Sequence, residues 1–319
     1  MAPIISTFAG LSARAGGFSS SSGGPFVYVT NATSNTITRV SPSTLALVGT
    51  PLTISGGPGI IAVDSTNTFA YVISSSGTII TKVNLSGFTV VSSLTIPACY
   101  SLTIDHTNTF AYVTSSAALT KISLSTFTVV GSALSLPALT GSGTTAAMVI
   151  DSANAFGYIA GGSNIVYQIN LSTFTVNNST TTVGNRPGSI AIDSTSTYLY
   201  VGDLSGTQQL YKMNISTFSL VNQITVSNNL EFILIDPTNS FAYVFDNTTG
   251  ISKVNLSTFT VVASLGLGNN SVGMVTDPLW AFAYVVNGTG NVVDKINIST
   301  FTIVGSSPSL SSGSSGIAI

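Results

Sequence analysis

The sequence predicts an all-β fold, a single seven-bladed β-propeller with four strands in each blade. Three observations lead to this prediction: a repeat, four β-type segments in every copy of it, and chain ends that complement each other. Four-stranded units of about 40–45 residues that recur along a chain are typical of propeller blades. We expect the propeller to span residues 25–319 and residues 1–24 to form an N-terminal arm or linker.

The repeat is centred on an aromatic segment of the type Phe-Ala-Tyr-Val, which occurs seven times at spacings of 41 to 46 residues. The copies begin at Phe26, Phe69, Phe110, Phe156, Tyr198, Phe241 and Phe282. β-Branched and aromatic residues dominate each copy, and clusters of Gly, Ser, Thr or Asn separate segments of strand length. This pattern indicates β-structure throughout.

Each copy contains four segments in the same order. The first is an apolar run that ends in Asp, such as residues 60–64, and a polar turn then leads into the Phe-Ala-Tyr-Val segment. The third, such as residues 251–255, follows a loop rich in Gly, Ser and Asn. A tight Leu-Ser-Thr turn opens the fourth, such as residues 259–265. Four short strands joined by turns are therefore predicted for every copy.

The two chain ends predict how the propeller closes. Copy one starts at its second strand, because Gly23, Gly24 and Pro25 precede Phe26 without an apolar run. The chain ends with residues 316–319, which form the beginning of such a run. We predict that residues 317–319 pair beside residues 26–30 and complete blade one, so that no sheet edge is left open there.

Charged residues are scarce. The 8 basic and 10 acidic side chains make up 6% of the 319 residues and leave a net charge of −2. No basic run is present, so the electrostatic attraction that nucleic acids require is missing and nucleic-acid binding is excluded. No apolar run approaches the length of about 20 residues that spans a bilayer, so we expect no membrane insertion.

The residue types used most often in catalysis and metal binding are also scarce. The chain has one His, one Cys and one Glu, so it cannot form an internal disulfide and lacks ligands for a thiolate–imidazole metal site. We therefore expect no catalytic residues, no metal, no cofactor and no enzymatic activity. His106 replaces a turn residue of the other copies, and Cys99 is predicted to be a small buried hydrophobic residue.

Most charges recur at fixed positions of the repeat and are predicted to be structural. An Asp that enters a turn accepts hydrogen bonds from backbone N–H groups two residues on and so fixes the hairpin. Six copies have an Asp at the end of the first strand: Asp64, Asp105, Asp151, Asp193, Asp236 and Asp277. A second position, in the third strand, holds Arg39, Lys82, Lys121, Gln168, Lys212, Lys253 and Lys295.

Two segments resemble a known family. Residues 28–31 read Tyr-Val-Thr-Asn, and residues 183–193 resemble the segment with which that family enters the innermost strand. The chain from residue 25 to residue 319 is similar to the YVTN family of β-propellers, which is related to the NHL-type propellers. The resemblance implies a propeller fold and a surface-layer or other cell-surface protein. Only the first copy keeps the full tetrapeptide.

Six charged residues are not explained by the repeat: Arg14, Arg186, Asp203, Glu231, Asp246 and Asp294. Four of them form a candidate ligand site: Arg186, Asp203, Glu231 and Asp246. All four come from copies five and six, in loops that share one face of a propeller. They could surround the mouth of a central channel as a small polar binding site. The alternative is that they are solvated loop charges.

A Leu-Trp pair forms a candidate interface. In copy seven, Leu279 and Trp280 occupy a predicted exposed turn where other copies have small polar residues. Because large apolar side chains are costly to leave in water, we expect them to contact a neighbouring subunit or partner. The alternative is local packing against the next blade.

Eleven Asn residues lie in Asn-x-Ser/Thr context, a number not far above the chance expectation for so Ser- and Thr-rich a chain. Five of them repeat the same turn and are the candidate glycosylation sites: Asn84, Asn170, Asn214, Asn255 and Asn297. In a glycosylating compartment they would carry glycans on one face of the propeller.

Three functions are consistent with these features. The favoured one is a non-enzymatic structural or adhesive module of an extracellular, cell-surface, fibre or virion assembly. Its expected partners are copies of itself or other assembly proteins, with glycans as further candidates. A ligand-binding propeller, for carbohydrate among other ligands, is the alternative, and a lyase or hydrolase that uses the channel is the least favoured. The N-terminus has no basic region before its apolar stretch, so a signal peptide is not convincingly predicted.

Overall fold

The computed structural model describes residues 26–139, 146–162, 164–180, 183–204, 208–226, 230–246, 249–267, 271–288 and 290–319. These residues form seven antiparallel sheets, and the fold is a seven-bladed β-propeller as the repeat predicts. Among them, the only helical segment is one turn of 3₁₀ helix at Pro137–Leu139. The N-terminal arm, residues 1–24, lies outside the described residues.

The strands follow the repeat copy by copy. Blades one and two contain β1 (Val27–Asn31), β2 (Thr36–Val40), β3 (Leu52–Thr53), β4 (Pro58–Val63), β5 (Phe69–Ser74), β6 (Ile79–Asn84) and β7 (Thr89–Thr95). Blades three and four contain β8 (Ser101–Ile104), β9 (Phe110–Thr114), β10 (Ala118–Ser123), β11 (Thr128–Val129), β12 (Leu134–Ser135), β13 (Ala147–Ile150), β14 (Phe156–Gly161), β15 (Ile165–Asn170) and β16 (Thr175–Thr180). Blades five and six contain β17 (Pro187–Ile192), β18 (Tyr198–Asp203), β19 (Gln209–Asn214), β20 (Ser219–Thr225), β21 (Leu230–Ile235), β22 (Phe241–Asp246), β23 (Gly250–Asn255) and β24 (Thr260–Gly266). Blade seven contains β25 (Ser271–Thr276), β26 (Phe282–Asn287), β27 (Val292–Asn297) and β28 (Thr302–Ser306), and β29 (Ser314–Ala318) follows.

Each sheet is a meander of neighbouring strands, except that blade one takes its innermost strand from the other end of the chain. Its order is β29-β1-β2-β3, with Val29 paired to Ile317 and Tyr28 paired to Ala318. This confirms the predicted closure, although β29 begins at Ser314, three residues earlier than expected. In blade three the fourth strand is divided into β11 and β12, which both pair with β10.

The fourth strands begin one residue later than predicted. The Phe expected to open each of them lies instead in the turn, with a φ between 47° and 55°. The six residues concerned are Phe88, Phe127, Phe174, Phe218, Phe259 and Phe301. An aromatic residue in this left-handed region is unfavourable on its own, by about 1–2 kcal/mol, so a tertiary contact has to hold it there.

That contact is made with the preceding blade. The ring centroids of Phe174 and Tyr112 are 6.4 Å apart, and those of Phe88 and Tyr28 are 6.2 Å apart. Each Tyr is the third residue of a Phe-Ala-Tyr-Val-type segment and is almost completely buried. The turn that precedes the fourth strand of one blade is therefore packed against the second strand of the blade before it.

The chain divides into two compact units, one formed by residues 100–264 and the other, within the described part, by residues 26–99 and 265–319. The first unit contains blades three to six. Its apolar clusters lie between consecutive blades; one joins Tyr158 and Val149 of blade four to Leu199 and Met213 of blade five. Interlocking of large side chains between blades is thus the main packing contact of this unit.

Hydroxyl groups of the inner strands connect the blades as well. In the first unit, Thr103 donates a hydrogen bond to the carbonyl of Met148 (2.9 Å). Ser189 in β17 donates to the carbonyl of Leu230 in β21 (2.5 Å). In the second unit, Ser315 donates to the carbonyl of Pro58 (2.6 Å). Buried Ser and Thr residues therefore satisfy backbone acceptors of the next blade where no strand pairing is available.

Candidate functional site

The recurrent Asp residues organise hairpins, as predicted. In every case one side-chain oxygen accepts the N–H of the residue four positions further on, at 2.7–2.8 Å. Asp236 shows the full set: Ser240 N–H at 2.8 Å, Phe241 N–H at 3.1 Å and the Thr238 hydroxyl at 2.9 Å. The prediction of backbone N–H donors two residues on is thus wrong in its spacing, because the N–H donors lie four and five residues on and the donor two residues on is a hydroxyl.

The recurrent Lys residues also have a structural position. Each Nζ lies 4.0–4.2 Å from the ring centroid of the first aromatic residue of its own blade's second strand. Lys295 also donates to the carbonyl of Pro42 (2.8 Å), and Lys121 donates to that of Leu171 (3.4 Å), each in the next blade. Burial lowers the pKa of Lys82 and Lys212. These cations stabilise the contact between blades through cation–π interactions.

Asp203 and Asp246 occupy one position of the repeat, the last residue of the second strand. Asp203 is 0% exposed and Asp246 is 1% exposed. Asp203 accepts the N–H groups of Asn185 (3.0 Å) and Arg186 (3.2 Å), and Asp246 accepts the N–H of Thr249 (2.5 Å). The alternative reading as solvated loop charges is therefore wrong for both, because each is buried and holds loop backbone.

Glu231 is the second residue of β21 and is also buried, with 6% exposure. The strand pairing shifts between Leu230 and Phe232, which makes Glu231 the extra residue of a β-bulge. Bulges change the direction of one side chain locally and are common beside functional sites.

The three carboxyl groups belong to residues that surround Leu230. Leu230 is followed by Glu231 and is paired with Asp246 across the sheet. A Cβ on Gly202, which precedes Asp203, would lie 2.7 Å from the Leu230 side chain and 2.9 Å from its carbonyl oxygen. In the sheet of blade six, Glu231 and Asp246 are thus the chain neighbour and the cross-strand neighbour of Leu230, and Asp203 of blade five follows the glycine that packs against Leu230. The half-buried Arg186 donates its backbone N–H to Asp203. Such a set can accept hydrogen bonds from hydroxyl, amide or cationic groups.

The Leu279–Trp280 turn differs from the equivalent turns in its side chains and not in its backbone. Leu279 is 87% exposed, whereas Trp280 is partly buried. Trp280 has a φ of 55°, at the position where blades two, three, four and six have Asn and blade five has Ser. Asn adopts this conformation more readily than Trp. The turn thus keeps the backbone geometry of the repeat while presenting a large apolar side chain to solvent.

The single Cys and the single His both occupy structural positions. Cys99 is buried, and burial raises the pKa of its thiol to about 12, which keeps it protonated and unreactive. His106 lies in the turn after Asp105, and its backbone N–H donates to the Asn154 side chain (3.0 Å). In the described part of the chain, no three His, Cys, Asp or Glu residues are arranged to hold a metal ion. The same residues include no helix long and apolar enough to cross a membrane.

The five candidate glycosylation sites share one turn geometry. The side-chain oxygen of Asn170 accepts the hydroxyl of Ser172 (2.8 Å) and the N–H of Thr173 (3.0 Å). Asn255 and Asn297 make the same pair of bonds. Each Asn is half-buried at the end of its third strand and binds the turn that follows. Its side chain therefore has a structural role, with or without a glycan.

Sequence reasoning missed the exposed apolar side chains of the outer strands. Pairs of adjacent apolar residues are exposed in five of the blades: Val90 and Val91, Val129 and Val130, Leu220 and Val221, Val261 and Val262, and Ile303 and Val304. The signal was present as a repeated Thr-Val-Val-type segment. The pattern of apolar and polar residues within a strand does not show that the side chains of the fourth strand are left uncovered by the next blade.

No protein-family model and no curated protein sequence matches the chain. Solved structures do share its fold. A functionally unknown protein from Desulfotomaculum acetoxidans DSM 771 is 16% identical and superimposes with a TM-score of 0.78 over 92% of this chain and 98% of its own. Kuenenia stuttgartiensis hydrazine synthase is 15% identical, with a TM-score of 0.70 over 84% and 90%. The dihydro-heme d1 dehydrogenase NirN in complex with DHE is 10% identical, with a TM-score of 0.67 over 92% and 74%.

These similarities correct one prediction and leave another unconfirmed. The prediction that the chain is not an enzyme is wrong as a conclusion from residue scarcity, because hydrazine synthase and the dehydrogenase NirN contain propellers of the same fold. At 10–15% identity the likeness shows the fold alone and gives neither activity to this chain. The resemblance to the YVTN family is not confirmed, since no family model matches.

Proposed function

We propose that the chain is a structural or adhesive propeller module that binds other proteins, or copies of itself, in an extracellular, cell-surface, fibre or virion assembly. The observation that supports this proposal is Leu279, which is 87% exposed at a turn where the equivalent residue of blade six is Thr238. Burial of a Leu side chain is favourable by about 1.5–3 kcal/mol. A partner that covers Leu279 and Trp280 would gain this free energy.

A photo-cross-linking residue at position 279, in the chain assembled in its native source, tests the proposal. We expect one adduct whose mass equals the chain plus a defined protein of the assembly or a second copy. The matched control carries the same cross-linker at position 238, in the equivalent turn of blade six. Equal cross-linking at the two positions, or none at position 279, would contradict the proposal.

A second candidate function is the binding of a ligand, carbohydrate included, by the residues around Leu230. It is supported by the burial of Asp203, Glu231 and Asp246 and by the proximity of their backbone positions to Leu230. Carboxylates that accept hydroxyl hydrogen bonds orient sugars well. We expect a glycan array to show a ligand that Glu231→Gln binds at least tenfold more weakly, while Asp105→Asn, in a turn of blade three, leaves its affinity unchanged. If no glycan on the array binds, or if both variants bind the ligand equally well, the ligand-binding function is rejected.

The proposed location makes a separate prediction about covalent mass. In a glycosylating secretory route, the chain from its native source would be heavier than 32.6 kDa by whole glycan units. Peptide mapping would place the glycans at Asn84, Asn170, Asn214, Asn255 or Asn297. An unmodified mass would instead favour a virion or another assembly that forms without glycosylation.

A further inference from the structure

As far as the structure describes the chain, the outer strands of four blades have one unpaired edge, and these strands carry no charge. In the described residues, β7, β20 and β24 are seven residues long and β28 is five residues long. None of these strands contains a charged residue or a proline. Native proteins usually protect such edges with Lys, Pro, β-bulges or very short strands, because free N–H and C=O groups pair readily with another strand.

Apolar side chains lie on the same edges. The pairing with the third strand shifts once in β7, in β20 and in β28, so Val91, Val221 and Val304 are the extra residues of β-bulges. They are 52%, 53% and 52% exposed, and the apolar residue before each of them is exposed as well. A bulge interrupts the flat edge of the strand. A partner therefore has to contact both the apolar pair at the bulge and the backbone N–H and C=O groups of the few strand residues that follow it.

The nature of the partner follows from the repeat. The edges read Thr-Val-Val, Ser-Leu-Val, Thr-Val-Val and Thr-Ile-Val at equivalent positions, so any edge of one copy meets a nearly identical edge on a second copy. Antiparallel pairing of like edges is self-complementary. The net charge of −2 on 319 residues and the uncharged edges offer almost no repulsion between copies.

We infer that the outer strands of blades two, five, six and seven are the surfaces through which copies of this chain associate, strand edge to strand edge. This inference goes beyond the proposed function, because it concerns a surface other than the Leu279–Trp280 turn and makes the partner a second copy. One edge buries too little area for a stable dimer, so each contact is weak. Several equivalent edges on each chain make the association multivalent, and it grows with concentration into an open assembly.

The test compares two variants with the same net charge. The edge variant carries Val91→Lys, Val221→Lys, Val262→Lys and Val304→Lys. The control carries Lys in exposed inner turns, as Thr66→Lys, Thr107→Lys, Thr195→Lys and Thr238→Lys. Sedimentation velocity over a wide concentration range measures assembly, and thermal unfolding followed by circular dichroism verifies the fold.

We expect the wild-type chain and the control to form species heavier than 32.6 kDa as concentration rises, and the edge variant to stay monomeric. If the edge variant does not fold, the same four positions changed to Thr keep β-propensity and still weaken association at least tenfold. A wild-type chain that is monomeric at every concentration, or edge variants that assemble like the wild type, would overturn the inference. A monomeric wild type would leave the proposed function standing if position 279 cross-links to a different protein.

Discussion

The ring of Phe259 in blade six lies 6.4 Å from the ring of Tyr200 in blade five, at an interplanar angle of 39°. The ammonium group of Lys212 is 5.8 Å from the Tyr200 centroid and 5.9 Å from the Phe259 centroid. Lys212 also donates to the carbonyl of Leu256 (3.5 Å), three residues before Phe259. One cation and two rings therefore hold the turn of one blade on the preceding blade, and the unfavourable φ of 53° at Phe259 is tolerated for this reason.

Replacement of Phe259 should separate the packing of the ring from the conformation of the backbone. We expect Phe259→Ala to lower the free energy of unfolding by about 3–5 kcal/mol, because a buried ring is lost. Phe259→Gly should be less destabilising than Phe259→Ala, since Gly adopts a positive φ without strain. Urea denaturation measures both, and Val262→Ala on the exposed edge should change stability by only about 0.5 kcal/mol. A Gly variant less stable than the Ala variant would show that backbone strain is absent.

The buried tyrosines predict loss of stability in alkali. Burial raises the pKa of Tyr28, Tyr243 and Tyr284 from 10 to about 12. As the pH rises, the tyrosines of the unfolded chain lose their protons before those of the folded chain. The stabilisation that comes from the protonated, buried tyrosines is therefore complete below pH 10 and disappears as the pH rises through 12. Urea denaturation at increasing pH, with tyrosinate absorbance as a second signal, should show this decline. The triple variant with Phe at these positions should decline less steeply, and both proteins should show flat profiles near neutral pH.

Asp236 should be needed for the stability of its hairpin. Asp236→Ala leaves the N–H groups of Ser240 and Phe241 without their acceptor, and we expect a loss of about 1–3 kcal/mol. Asp236→Asn keeps one acceptor oxygen and should be intermediate. Thermal and urea denaturation of both variants measure the difference. If the Ala variant is as stable as the wild type, the turn is held by its backbone alone.

The close approach of blades five and six at Gly202 should not tolerate a side chain. A Cβ there would contact the Ser189 hydroxyl and lie 2.7 Å from the Leu230 side chain, so Gly202→Ala should cost about 1–3 kcal/mol by overpacking. Gly131 is the matched control, because it has a φ of 68° and open space around its Cβ position. Gly131→Ala should cost only the conformational term, about 1 kcal/mol. Equal losses at the two positions would argue against tight packing between these blades.

The fold was predictable because the repeat copies its turn residues as well as its apolar residues. Asp64 and its equivalents mark the end of every first strand, and the missing first strand of copy one identified residues 317–319 as its replacement. The positive φ of Phe259 was not predictable, because the ring that compensates for it belongs to another copy. Sequence order alone does not show which blade covers which turn.

The sequence identified the residues of the candidate site but not their positions in the strands or their burial. The positions of Arg186, Asp203, Glu231 and Asp246 in the sequence do not recur as charges in the other copies, yet Asp203 and Asp246 share one strand-end position. Loops of different length after this position hide the equivalence in a simple reading. The position of Glu231 depends on the bulge beside Leu230, which the local sequence does not predict. Exposure of Leu279, by contrast, followed from the turn alone.

The pairing of β29 with β1 imposes an order on biosynthesis. Residues 27–31 leave the ribosome long before residues 314–318, and at about 5–20 residues per second the interval is roughly 15–60 s. During that time the inner edge of β1 has no partner from its own blade, although the later blades can already form. Nascent chains would therefore be the form most exposed to chaperones and to wrong strand pairing, and the last step of folding would have to wait until residues 314–318 have emerged.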